Sequence, residues 1–146
     1  MRVQILGVLK PSTQLLPFCG HRVPAGFPSP AQDFLEPPIS LDELLQIKAP
    51  HVYLMRVLGD SMRDCGIFDG DVLVVDRSID ATSGDVVVVS LNQEPLVKRL
   101  ILEPSGGALL QSDNAAYPPI VLKDGDELHL WGVVTASLTV HKRQAC

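Results

Sequence analysis

The sequence predicts a mostly β fold: a compact folded-over sheet or small barrel, with an extended N-terminal arm ahead of it. Three observations predict this. Short runs rich in branched residues crowd the chain after residue 51. Gly-Asp and Asp-Gly pairs at 69–71, 84–85 and 124–126 punctuate those runs as turns. Eight of the twelve prolines lie before residue 51, which disfavours regular structure in the first third.

Taken in order, the arm spans residues 1–40. Its start, MRVQILGVLKPST, has a faint signal-peptide look, but the apolar stretch is short and broken by Lys10 and Pro11, so export is disfavoured. Ser40-Leu-Asp-Glu-Leu-Leu is the one helical signal: Ser40 caps, Glu43 completes a capping box, and Leu41, Leu44 and Leu45 form a short apolar face. The β domain spans residues 41–140, with strands predicted in VYLMRVLG, DVLVVD, DVVVVSL, PLVKRLIL, ALLQS and ELHLWGVVTASL. Several of these are apolar on both faces, as a sheet folded over on itself requires. Residues 141–146, HKRQAC, read as a frayed tail.

Bulk properties narrow the function. The 146 residues make about one domain, and 46% hydrophobic with 20% charged residues describes a globular chain. A formal charge of -5 opposes nonspecific contact with nucleic acid and favours a protein partner. Cys19, Cys65 and Cys146 share no metal-binding spacing and cannot all pair, so no metal or other cofactor is expected and a reducing, cytoplasmic setting fits. No apolar run approaches the ~18 residues of a membrane span.

Two residues invite chemistry. In Gly59-Asp60-Ser61-Met62 a glycine permits a sharp turn that lifts the Ser61 hydroxyl clear, with the Asp60 and Ser61 amides free to face a developing oxyanion. Taken alone, these residues read more simply as an ordinary turn. Lys98 stands among branched and leucine side chains in PLVKRLIL. It either snorkels to water or is a desolvated amine with a lowered pKa, able to serve as a base for a serine.

A third stretch joins them. Val23-Pro-Ala-Gly-Phe-Pro-Ser-Pro puts the Ala25-Gly26 bond in an extended, proline-bracketed segment. The ordered set AGFPSPAQDFLE, GDSMRDCGIFDGDVLVVD, SGDVVVVS, VKRL, NAAYPPI and WGVV resembles the LexA/UmuD family of self-cleaving Ser-Lys proteases over about residues 23–136. The resemblance implies a dimeric protein of the bacterial SOS response that cuts off its own arm when a RecA filament on single-stranded DNA promotes it. It also implies that the shortened product joins a UmuC-like Y-family polymerase subunit for error-prone synthesis past lesions. On this chain Ser61 becomes the nucleophile, Lys98 the general base, and Ala25-Gly26 the bond cut. Cys19-Gly20 is a second candidate bond, set aside because the FPSPA run that follows the family's scissile glycine follows Gly26 here.

Two other readings compete. One is an arm-bearing accessory domain that binds a polymerase and is never cut. The other is a GDSL-type esterase pairing Ser61 with Asp126 and His129, which the scarcity of helices disfavours. A helix-turn-helix repressor is not expected, because the first 25 residues are too few and too proline-broken.

Overall fold

A computed structural model describes residues 1–8, 12, 14–19, 35–47 and 50–142. The chain divides into two compact units, one of Met1–Leu9 with Pro50–Cys146 and one of Lys10–Ala49. This departs from the expected boundary at residue 40. The first residues belong to the β unit, because the exposed edge of a later strand offers them a hydrogen-bonding partner that local sequence does not reveal.

The larger unit is an eight-stranded antiparallel sheet. In chain order its strands are β1 (Arg2–Val8), β4 (Val52–Leu58), β5 (Val72–Asp76), β6 (Val86–Leu91), β7 (Glu94–Leu102), β8 (Ala108–Gln111), β9 (Ile120–Val121) and β10 (Leu128–Leu138). In space they run β1-β4-β5-β10-β6-β7-β8-β9. The sheet curls until its first strand meets its sixth: the Val97 N–H of β7 donates to the Met1 carbonyl at 3.1 Å. All six predicted strand runs are present, and the mostly β class stands.

The curl explains why the runs are apolar on both faces. In β6, Val88 packs with Met55, Val57, Leu73, Val75 and Val97, while Val87 and Val89 pack with Leu96, Leu100, Leu110 and Val133. One strand thus feeds two apolar clusters, and alternation of polar with apolar residues disappears from its sequence. Two valines buried on one side and one on the other remove roughly 2 kcal/mol of transfer free energy each from water.

In the smaller unit, β2 (Leu16–Cys19) pairs antiparallel with β3 (Leu35–Ile39), so the proline-rich third holds more β structure than expected. Pro37 and Pro38 are tolerated in β3 because they fall at the register shift of the ladder, between Glu36 facing Phe18 and Ile39 facing Leu16. The helical signal forms α1 (Leu41–Leu44), with the Glu43 N–H donating to Ser40 Oγ at 3.2 Å. Its apolar face is not buried: Leu41 and Leu44 are each about half exposed. No helix among the described residues is long and apolar enough to cross a membrane.

Candidate active site

Ser61 lies just beyond the end of β4. Gly59 holds φ at +102°, a conformation that a side chain strains, and its N–H donates to Asp69 Oδ1 at 2.8 Å. The chain then turns sharply into a short 3-10 turn, Arg63–Cys65, closed by the Arg63 N–H donating to the Asp60 carbonyl at 3.1 Å. Met62, fully buried, pins this loop to the core. Among the described residues no backbone carbonyl takes the N–H of Asp60 or Ser61, the two amides expected at an oxyanion.

Lys98 comes from the middle of β7. Its flanks Leu96, Val97 and Leu100 are core residues, and the lysine is only 5% exposed. The amine does not snorkel. Lys98 Nζ lies 3.1 Å from Ser61 Oγ and 2.8 Å from Ser112 Oγ, donating to both, and 5.8 Å from the centre of the Tyr117 ring. Among the described residues no carboxylate forms an ion pair with it. Burial therefore pulls the Lys98 ammonium below its usual range, while contact with the Met1 amine and the field of Glu94 pull back upward. Ser61, 1% exposed, is sealed from water beside it.

A second amine reaches the same hydroxyl. The Met1 amino group donates to Ser61 Oγ at 3.0 Å, and burial first, then the nearby Lys98 charge, lowers its pKa.

Several residues that hold the pair were not singled out from sequence. Ser112 stands opposite Lys98 because the ladder of β7 and β8, with Arg99 facing Gln111 and Leu100 facing Leu110, continues one residue further. The turn in which Glu103 donates to the Gly107 carbonyl fixes that register, so a hairpin reading of PLVKRLIL and ALLQS would have found it. Asn114 Nδ2 donates to the Asp60 carbonyl at 3.0 Å, and Tyr117 Oη donates to Asp60 Oδ1 at 2.5 Å. The Asp64 N–H donates to the Asp113 carbonyl at 2.7 Å. Residues 112–117 thus brace the serine loop. Arg99 in turn anchors Asp113 through paired charged hydrogen bonds that hold the carboxyl below its ordinary range.

The structure brings Ser61 and Lys98 together and leaves the esterase set apart. The Asp126 carboxylate accepts from the Lys123 N–H at 2.8 Å and from Asn92 Nδ2 at 3.1 Å, while His129 sits in β10 opposite Ser90. The hydroxyl of Ser61 is shared by two amines, not by an imidazole. The Ala25-Gly26 bond lies outside the described residues, as does Gly20 of the second candidate bond. Among the described residues no group of three His, Cys, Asp or Glu side chains is placed to hold a metal ion.

Comparison with known proteins identifies the family. The family model described as Peptidase S24-like matches residues 17–135. The chain is 42% identical over 127 residues to Protein MucA of Salmonella typhimurium, covering 86% of each. It is 36% identical over 136 residues to Protein SamA of the same species, covering 93% of this chain and 92% of SamA. It is also 39% identical over 130 residues to the LexA repressor of Bordetella avium, covering 89% of this chain and 60% of the repressor. A match over this much of the sequence, on a mostly β sheet that sets a serine against a buried lysine, shows that the chain belongs to the Peptidase S24-like family.

Proposed function

We propose that this chain is a self-cleaving serine endopeptidase that cuts its own Ala25-Gly26 bond with Ser61 and Lys98. One observation carries the proposal: a lysine amine, 5% exposed and with no counter-ion among the described residues, stands 3.1 Å from the oxygen of a sealed serine. A buried amine gives up its proton more readily than one in water, and the neutral form is the base that a serine needs.

The chemistry proceeds in two stages. Neutral Lys98 donates one N–H to Ser112 Oγ and accepts the Ser61 proton as Oγ attacks the Ala25 carbonyl carbon. The amides of Asp60 and Ser61 receive the charge that develops on the carbonyl oxygen. The C–N bond then breaks. Lys98 returns the proton to the departing Gly26 nitrogen, and Ala25 remains as an ester on Ser61. Water, deprotonated by the same amine, hydrolyses the ester and frees the serine. Ser112 orients the amine throughout. It is a positioning residue.

The biological setting follows the family resemblance: a cytoplasmic bacterial protein of the SOS response, working as a homodimer and stimulated by a RecA filament on single-stranded DNA. Its shortened form serves as the accessory subunit of a UmuC-like error-prone polymerase. A stimulating partner supplies no chemical group; it raises the population of the state in which the cut segment reaches Ser61. The test is mass spectrometry of purified full-length protein at pH 7 to 10. The expected result is a new N-terminus at Gly26, absent in Ser61→Ala and Lys98→Ala. A fragment starting at Gly20, or unchanged cutting in Lys98→Ala, would refute the assignment.

A further inference from the structure

The space in front of Ser61 is filled by the chain's own first strand. β1 runs antiparallel along β4 from Arg2 opposite Leu58 to Val8 opposite Tyr53. Together with the Val97 contact this sets the Met1 nitrogen 3.0 Å from Ser61 Oγ. A peptide carbonyl attacked by that oxygen must approach to about 3–3.5 Å. Met1 and a scissile peptide cannot both be there.

β1 is also weakly anchored. Five of its seven residues are exposed, Ile5 and Val8 about half so, and its pairing slips between Ile5 and Gly7. Val3 and Ile5 roof an apolar cavity of about 190 Å³ walled by Met55, Val88, Pro95 and Trp131. Met1 and Val3 pack against the core, and the rest of the strand is held by its backbone ladder; a backbone ladder accepts any extended segment.

We propose that the groove along β4 and Val97 is an extended-peptide site, that Met1–Val8 occupies it as a competing strand, and that this strand must leave before Ala25-Gly26 is cut. The inference rests on the self-cleavage reading. Met1 and Lys98 are also in electrostatic contact while the strand is docked: burial and the Lys98 charge lower the Met1 amine, and the same contact raises the lysine against the larger effect of its own burial. A substrate strand in its place keeps the lysine buried and removes that contact.

The test locks the strand. Gln4 and Arg56 face each other across the ladder and both are exposed, so Gln4→Cys/Arg56→Cys can be joined or opened by oxidation and reduction. The full chain carries this pair with Cys19, Cys65 and Cys146 replaced by serine, and Ala25→Glu to keep its own segment out of the site. A labelled synthetic peptide of the sequence Arg22–Asp33 is added at millimolar concentration, and both its binding and its cutting are measured. Binding and cutting in the reduced protein, each at least tenfold weaker in the oxidised one, is the expected result. Equal binding in both states, or binding in neither, overturns the inference. Binding only when reduced, with no cutting, leaves the groove assignment standing and refutes the peptidase reading instead.

Discussion

Replacing Lys98 with methionine should make the fold more stable while abolishing cleavage. The two side chains are similar in length and volume, and the position is buried. Lys98 is 5% exposed and, among the described residues, has hydroxyls and an aromatic ring for company but no carboxylate. Exchanging even a paired buried charge for fitted apolar groups stabilises by about 1–4 kcal/mol, and an ammonium without a carboxylate has less to lose. Ser112 loses one partner, which costs about 1 kcal/mol. The net gain expected at pH 7 is therefore about 1–3 kcal/mol, or a rise in Tm of roughly 3–9 °C for a chain of this size. The sign depends on pH. A lysine whose folded pKa lies below its unfolded one destabilises the fold fully below the folded value, and the penalty fades as pH rises toward about 10.4. The advantage of methionine should shrink over that window. The assay is thermal denaturation from pH 6 to 10.5 of Ser61→Ala against Ser61→Ala/Lys98→Met, so that neither protein cuts itself during the measurement. A methionine variant less stable at pH 7, or a difference that does not change with pH, would mean that Lys98 is an ordinary solvated ammonium and not the base.

Two further outcomes test the supporting residues. Ser112→Ala should slow self-cleavage about 5- to 30-fold, the worth of one or two kcal/mol of lost orientation. Because a hydroxyl stabilises an ammonium more than an amine, it should also move the midpoint of the pH–rate profile downward. In the unsubstituted protein that midpoint should lie below the ordinary lysine value of 10.5. A slower rate with an unmoved midpoint would assign Ser112 a merely structural part. Asp113→Asn should cost about 1–3 kcal/mol, measured by urea denaturation, because it leaves Arg99 half-buried without its charge partner. The depressed pKa of Asp113 contributes stability above its unfolded value near 3.8, lost as pH falls through the lower folded value, so the variant should differ least in strong acid.

The β domain was legible because its strands are buried on both faces. A run such as Val86–Val89 has no polar alternation to lose, and the Gly-Asp turns mark its ends. Ser61 and Lys98 were legible as a glycine-preceded serine and a lysine out of place, although neither was decisive until the family's ordered segments joined them. What escaped was nonlocal. Nothing in RVQILGV states that β4 has a free edge to receive it, and so the first residues read as arm. Ser112 escaped for a similar reason: its role comes from cross-strand register, which the turn at Glu103–Gly107 sets and composition does not express. The leucines of α1 misled in the opposite direction, as helical spacing promises an apolar face without guaranteeing a surface to cover it.

Ser61 and Lys98 stand 37 positions apart in the chain and ride on opposite flanks of β5, β10 and β6. Their spacing therefore depends on how far the sheet has rolled up as well as on the contacts of residues 112–117 with the serine loop. Gly132, midway along that roll, has no room for even a methyl: a Cβ there would stand 2.8 Å from Val75 and 3.2 Å from the Asp76 carbonyl. A side chain at this remote point must push β10 and β5 apart, and the span from Ser61 to Lys98 crosses both strands, so the pair is exposed to strain that touches none of its own atoms.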